Sequence, residues 1–165
     1  MMTCAPLVHP TTLRALIEVE SGGNPFAVSI NHPQALRAAG VAALAIAQPR
    51  SAREALELTR ELRSRGLSTS MGLAQINVEH AAELRLRIAD LLDPCINLAV
   101  AQRVLIECAA RQSGRLVPGA RLRQTLLCYN AGDQASVAGN HYALDVMRAA
   151  ARQRARELRP IGTAP

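Results

Sequence analysis

The chain has 165 residues, of which 49% are hydrophobic and 19% charged, so it fits one packed domain and is not disordered throughout. Its net charge is +6 and its 19 basic residues are all arginines, which points to an anionic partner such as nucleic acid, anionic lipid or an acidic polysaccharide. With one Phe, two Tyr and no Trp, it lacks the stacking platforms of single-strand nucleic-acid binders, and no apolar run is long enough to span a bilayer.

Apolar residues at helical spacing predict a first helix that ends near Ser21, where two glycines follow. The stripe of this helix that faces the core consists of Leu13, Leu16 and Ile17. Between Phe26 and Ile30, apolar residues alternate with small ones, which favours a short strand. We predict that this strand forms a hairpin with residues 41–47, although the Ala-rich composition of that segment also fits a small helix.

Capping signals locate the elements that follow. Ser51 and Glu54 form a capping box that begins a helix, and Gly66 ends this helix. The segment Leu67–Gln75 is rich in Ser, Thr and Gly and is therefore predicted to be a loop. Asn77 then caps a short helix.

Three further helices give a mainly α fold class, α+β with a short β-hairpin. They run from Pro94 to about Arg111, from Pro118 to Tyr129, and from near Asn140 to Leu158. Asp93 and Pro94 supply the N-cap and the first turn of the first of these helices. We predict a single domain over residues 1–158 and a C-terminal tail over residues 159–165.

Glu20 is the residue whose position is most informative about catalysis. At about 100° per residue it falls on the predicted buried stripe, whereas Glu18 points elsewhere. Partial desolvation and the negative end of the helix dipole both raise the pKa of a carboxyl group in such a position, which favours a general acid. The alternative is a helix-end glutamate whose side chain bends out to water.

All three aromatic residues adjoin turn sequences. They are Phe26, Tyr129 and Tyr142. Sugar rings present apolar C–H faces and many hydroxyls, so a cleft for them combines aromatic surfaces with amides such as Gln75 and Asn130. The alternative is that the two tyrosines cover the core and keep their hydroxyls in water.

Three short motifs follow one another along the chain. The first motif is E-S-G-G-N-P at 20–25 with Ala27 and Ser29 behind it, the second is G-L-A-Q-I-N at 72–77, and the third is Y-N-A-G at 129–132. In this order they resemble the signatures of the lytic transglycosylases of glycoside hydrolase family 23. Within that family the chain is most similar to the peptidoglycan-cleaving components of type IV secretion systems. That similarity rests on Cys4-Ala5-Pro6, the long segment between the first two motifs, and Asp93-Pro94-Cys95.

The resemblance implies a lysozyme-like fold with a glycan-binding cleft, in which Glu20 is the catalytic acid and later the base. It places six further residues in the cleft, namely Ser29, Gly72, Gln75, Tyr129, Asn130 and Tyr142. Ala74 departs from the methionine usual in the second motif, which implies a looser contact there. Asp133 follows the third motif, where the family often has other residues. The family needs no cofactor, and we predict none.

The resemblance also implies the reaction. Glu20 protonates the bond between N-acetylmuramic acid and N-acetylglucosamine, the 2-acetamido carbonyl assists, and the Glu20 carboxylate then deprotonates the muramyl 6-hydroxyl. The resulting 1,6-anhydro end forms without water, which suits a sequence with no second acid in a comparable buried position. In a hydrolytic alternative, Asp133 is the first candidate for the base that activates water, against the simpler interpretation of a solvated turn residue.

The chain has four cysteines, which allow three pairings. Cys95 and Cys108 lie about 20 Å apart on one predicted helix and cannot pair with each other. This leaves Cys4–Cys95 with Cys108–Cys128, which we prefer, or Cys4–Cys108 with Cys95–Cys128. The alternative is four reduced thiols in a cytosolic protein.

The four histidines show no metal-ligand spacing, so we predict no metal site. They are His9, His32, His80 and His141.

The predicted function is local opening of peptidoglycan for assembly of a type IV secretion or conjugation system. The predicted partners are peptidoglycan glycan strands and secretion-system components, with no nucleic acid. The alternatives are a non-catalytic peptidoglycan-binding scaffold subunit, which would gain nothing from a buried acid, and a hydrolytic lysozyme. The resemblance implies a periplasmic location, although residues 1–10 show no signal peptide.

Overall fold

The computed structural model describes residues 2–31, 47–131 and 137–158. Helices dominate these residues, as the sequence predicts. The α-helices are α1 (Pro10–Ser21), α2 (Ala52–Ser64), α3 (Glu79–Glu83), α4 (Pro94–Ala110), α5 (Pro118–Ala131) and α6 (Val137–Glu157), and short 3-10 helices span Met2–Cys4 and Ile88–Leu92. Among the described helices, none is both long and apolar enough to cross a membrane.

Most helix boundaries follow from local capping. Helix α1 ends at Ser21 as predicted, because Gly22 and Gly23 take positive φ angles of 61° and 86° that end the helix. Asp93 caps α4, since its carboxylate accepts hydrogen bonds from the backbone amides of Cys95 and Ile96. The last helix, α6, begins at Val137 and therefore earlier than the predicted start near Asn140.

Ser51 caps α2. Its Oγ accepts a hydrogen bond from the Glu54 amide at 3.2 Å, and the Glu54 carboxylate accepts one from the Arg50 amide at 2.9 Å. This backbone hydrogen bond, assisted by Ser51, lowers the pKa of Glu54.

We expect Ser51→Ala to lower the free energy of unfolding by about 1 kcal/mol in a urea titration, because one helical N–H loses its acceptor. Ser51→Asp retains an acceptor and should stay close to the parent; an equal loss in both variants would contradict the capping role.

A three-stranded antiparallel sheet joins the first two motifs. Its strands are β1 (Val28–Ile30), β2 (Thr69–Met71) and β3 (Ile76–Asn77), in that spatial order. Val28 lies opposite Met71, and Met71 lies opposite Ile76. The prediction of a loop over Leu67–Gln75 was therefore wrong, because β2 is stabilised by pairing with a distant strand rather than by its own composition. Residues 41–46, the predicted hairpin partner of β1, lie outside the described residues.

The chain divides into two units, and the division falls within α1 and α4. The first unit contains Met1–Ala5 and Glu20–Ala101, and the second contains Pro6–Val19 and Gln102–Pro165. Each has its own buried apolar residues. In the first unit, the largest fully buried apolar side chains are Val28, Met71, Leu91 and Leu98. In the second unit, they are Leu13, Leu16, Leu126 and Val146.

Each unit contains one disulfide. Cys4 is bonded to Cys95 with a Cα–Cα distance of 5.0 Å, and Cys108 is bonded to Cys128 with a Cα–Cα distance of 5.6 Å. This is the preferred one of the two pairings that the sequence leaves open. The first bond attaches the N-terminal segment to the start of α4, and the second joins α4 to α5 directly before Tyr129. The third motif is thus anchored covalently within the second unit.

Candidate active site

Two glutamates near the end of α1 have different surroundings. Glu18 is exposed and accepts hydrogen bonds from Gln153 Nε2 at 3.0 Å and from a guanidinium nitrogen of Arg152 at 2.9 Å. The hydrogen bond from Gln153 and then that from Arg152 lower the pKa of Glu18, so Glu18 is ionised at neutral pH. Glu20 is half-buried, which is less than the predicted stripe requires, although Leu13, Leu16 and Ile17 are buried.

The turn that follows Glu20 is held by side chains of the first motif. Ser21 Oγ accepts a hydrogen bond from the Gly23 amide at 3.2 Å and donates one to the Leu73 carbonyl at 2.8 Å. Asn24 Oδ1 accepts from the Phe26 amide at 2.9 Å, which closes the next turn of the chain. The Ser21–Leu73 hydrogen bond brings the residue next to Glu20 into direct contact with the second motif.

The second motif forms a tight turn between β2 and β3. The Gly72 amide donates to the Ala27 carbonyl at 2.9 Å, and the Gln75 amide donates to the Gly72 carbonyl at 3.2 Å. Gly72 has a φ of 83° and Gln75 a φ of 49°, so both occupy the left-handed region. The turn is therefore attached to the backbone that follows the first motif as well as to Ser21.

The side-chain amide nitrogen of Gln75 donates hydrogen bonds to the backbone of the protein. Its Nε2 donates to the carbonyls of Ala27 at 3.1 Å and Gly72 at 2.9 Å. Its Oε1 is buried, and no described residue donates a hydrogen bond to it. Gln75 thus fixes the shape of the turn, and only its oxygen retains hydrogen-bonding capacity.

Ser29 is half-buried on β1, opposite Ser70 of the central strand β2. Beside this pair, the Ser70 hydroxyl donates to Asn31 Oδ1 at 2.7 Å, and Asn31 Nδ2 donates to Ser68 Oγ at 2.9 Å. These bonds connect the two strands through side chains as well as through the backbone. Glu20, Ser29, Gly72 and Gln75 therefore all belong to the first unit, on segments that hydrogen bonds join.

Asn97 is a site-supporting residue that the sequence reasoning missed. It lies in the first turns of α4, is fully buried, and hydrogen-bonds through its amide to the backbone of the second motif. A signal for it exists in the sequence, because Asn97 is a lone polar residue in the apolar run from Cys95 to Ala101. A buried polar side chain inside an amphipathic helix requires partners, and here the partners are a turn that carries predicted site residues.

Residues 129–131 of the third motif lie in the second unit, at the C-terminal end of α5. Tyr129 is half-buried and Asn130 is exposed, while Tyr142 is half-buried on α6. Helices α5 and α6 also contact through a hydrogen bond of 2.7 Å from the Arg123 guanidinium to Asn140 Oδ1. Asp133, the candidate base of the hydrolytic alternative, lies outside the described residues.

A groove of about 440 Å³ lies between α2 and the 3-10 helix Ile88–Leu92. Its lining is mostly apolar with three arginines, of which Arg63 pairs with Glu79 and Arg87 with Asp90. None of the predicted site residues lines this groove. In the part of the chain that the structure describes, three or more His, Cys, Asp or Glu side chains nowhere cluster as metal ligands would.

Comparison with known proteins identifies a family and relatives that this chain resembles. Residues 1–145 match the family model of the transglycosylase SLT domain. The type IV secretion system protein virB1 of Brucella suis biovar 1 (strain 1330) is 33% identical over 133 residues, which is 79% of this chain and 51% of the relative. Protein virB1 of Agrobacterium fabrum (strain C58 / ATCC 33970) is 31% identical over 148 residues, which is 89% of this chain and 56% of the relative.

The chain thus spans about half the length of the curated relatives that it matches. No solved structure matches it significantly. The family model includes all three motifs in one continuous match, and the helices and small sheet agree with the mainly α, lysozyme-like fold that the motifs implied. On these grounds, the chain belongs to the transglycosylase SLT domain family.

Proposed function

We propose that this chain is a peptidoglycan lytic transglycosylase. In this proposal it cleaves the β-1,4 bond between N-acetylmuramic acid and N-acetylglucosamine and leaves 1,6-anhydromuramyl ends. The observation that carries the proposal is the hydrogen bond from Ser21 to the Leu73 carbonyl, which brings the Glu20 turn and the second motif together. Family membership supplies the reaction class, and the half-buried Glu20 supplies a carboxyl group at the meeting point.

The other described acids support Glu20 as the reacting group. Of the acidic side chains in the described residues, all except Glu20 and Asp90 are exposed. Asp90 accepts hydrogen bonds from the Arg87 guanidinium and backbone amide, which lower its pKa and keep it ionised. A single suitable carboxyl group fits a mechanism in which the substrate itself supplies the nucleophile, whereas most hydrolytic glycosidases use a pair.

The reaction balances with one carboxyl group. Glu20 gives its proton to the glycosidic oxygen as the bond to the muramyl C1 breaks, and the 2-acetamido carbonyl oxygen bonds to C1. The muramyl 6-hydroxyl oxygen then displaces the acetamido oxygen at C1, and its proton returns to the Glu20 carboxylate. The enzyme is regenerated, and no water is consumed.

The remaining site residues are proposed to bind the glycan. Ser29, Gly72 and Gln75 belong to the first unit, and Tyr129, Asn130 and Tyr142 belong to the second.

We also propose that residues 1–158 act as one domain, with residues 159–165 as a tail. Two disulfides are consistent with an oxidising compartment, and we propose the periplasm as the location. The Brucella relative is named as a type IV secretion system protein, and we propose on that basis that this chain opens the cell wall locally for a type IV secretion or conjugation system, with components of that system as partners.

Mass spectrometry of digested peptidoglycan tests the proposal. We expect the purified protein to release muropeptides that are lighter by one water than hydrolytic products, while a Glu20→Gln preparation defines the background. Products with reducing ends would overturn ring closure and indicate a lysozyme. Binding to the sacculus without any product would overturn catalysis and favour a scaffold subunit.

A further inference from the structure

Asn97 is more than a satisfied core residue. Its Nδ2 donates to the carbonyls of Met71 at 3.0 Å and Leu91 at 2.8 Å, and its Oδ1 accepts from the Ala74 amide at 2.8 Å. Turning the amide over would place its oxygen against two carbonyl oxygens, so only one orientation satisfies all three contacts. The side chain is fully buried, and water is therefore excluded from these hydrogen bonds.

The contacts of Asn97 and Ser21 meet on one peptide group. The amide of Ala74 and the carbonyl of Leu73 belong to the same planar peptide unit. Asn97 Oδ1 accepts from the N–H side of that unit, and Ser21 Oγ donates to its carbonyl side. The Leu73–Ala74 peptide is thus held from both sides, by a buried residue of α4 and by the residue that follows Glu20.

We propose that Asn97 is a positioning residue that sets the place of Glu20 through the Leu73–Ala74 peptide. The inference rests on the proposed function, in which Glu20 is the acid. Asn97 fixes the orientation of this peptide, the peptide carbonyl fixes Ser21, and Ser21 ends the helix that carries Glu20. Loss of the Asn97 amide lets the peptide rotate, and the end of α1 loses a fixed hydrogen-bond partner.

The Asn97 amide packs closely against Gly72. A Cβ atom built on Gly72 would lie 2.2 Å from Asn97 Nδ2 and 2.8 Å from Asn97 Cγ. The Asn97 amide therefore lies directly against the Gly72 backbone, and any shift toward the turn is blocked. A rigid contact of this kind transmits position, because neither partner can relax without the other.

A double-mutant cycle tests the proposal. We expect Asn97→Ala and Ser21→Ala each to lower kcat per folded molecule by about tenfold to a hundredfold, because the acid is misplaced relative to the glycan. Since both act through one peptide, the double variant should lose little more than the worse single variant. If the two fold-losses in kcat multiply in the double variant, Asn97 and Ser21 act independently, and the proposed route through the Leu73–Ala74 peptide is refuted. If Asn97→Ala does not fold, Asn97→Leu keeps a similar shape, likewise removes the acceptor of the Ala74 amide, and takes its place in the cycle.

A second readout separates this proposal from the proposed function. The titration of the Glu20 carboxyl carbon, followed by NMR in the parent and the Asn97 variant, requires no catalysis. We expect Asn97→Ala to displace this titration curve, and the buried-core control Leu62→Ala to lower stability without displacing it or changing kcat per folded molecule. A displaced curve in an inactive parent supports positioning and refutes transglycosylase activity. An active parent whose Glu20 titration and kcat are both unaffected by Asn97→Ala would refute positioning.

Discussion

Glu20→Gln is expected to lower the rate of glycan release from isolated peptidoglycan by about 100- to 10,000-fold. The variant keeps the size and polarity of the side chain at the end of α1 but cannot donate and recover a proton. Because Glu20 is only half-buried, the substitution should leave the free energy of unfolding almost unchanged. The measurement is the rate of appearance of anhydro-muropeptides, with circular dichroism to confirm that the variant is folded.

Glu18→Gln is the matched control, since it makes the same chemical change two residues earlier in the same helix. Glu18 is exposed and bound to Arg152 and Gln153, so its loss removes a surface interaction of small energetic value. We expect this variant to keep the activity of the parent. Equal activity in both variants would remove Glu20 from the mechanism, and equal loss in both would show that the change acts through α1 in general.

Gly72→Ala is expected to lower the free energy of unfolding by about 3 kcal/mol or more, because strain and overlap add at this position. The φ of 83° is unfavourable for any residue with a Cβ atom. That atom would also lie 2.2 Å from Asn97 Nδ2 and 2.7 Å from the Leu91 carbonyl oxygen, and both partners are buried. Chemical denaturation followed by circular dichroism measures the loss.

Gly66 provides the control for Gly72. Its φ of 75° is similar, but no described atom lies within 4 Å of the Cβ that an alanine would add. Gly66→Ala should therefore cost only the backbone strain, about 1 to 2 kcal/mol. Losses of the same size in both variants would mean that the turn yields to the added methyl group, and the contact between Gly72 and Asn97 would then not be rigid.

Features of the fold that depend on neighbouring residues could be predicted from the sequence. The end of α1 at Ser21 and the start of α2 at Ser51 follow from glycines and a cap within a few residues. Strand β2 could not be found in this way, since three residues carry too little periodicity and the partner strand begins at Val28. The correct disulfide pairing was one of two possibilities that spacing leaves open.

The candidate site also contains features that the sequence predicts and features that it does not predict. Glu20 could be singled out because it follows an apolar stripe at helical spacing, and the three motifs are contiguous in sequence. The hydrogen bond from Ser21 to Leu73 joins residues 52 positions apart, and the bond from the Ala74 amide to Asn97 joins residues 23 positions apart. Side-chain hydrogen bonds over such distances leave no periodic trace, and only a lone polar residue in an apolar helix hints at them.

The Leu73–Ala74 peptide contributes only main-chain atoms to the bonds with Ser21 and Asn97, so neither bond requires a particular side chain at position 73 or 74. Replacement of either residue by another L-amino acid of suitable size leaves the N–H and the carbonyl in place. Proline at position 74 is the exception, because it has no N–H to offer Asn97. The connection to the turn that carries Glu20 is therefore encoded in the backbone at positions 73 and 74, and the buried side chain at position 74 affects it only through packing.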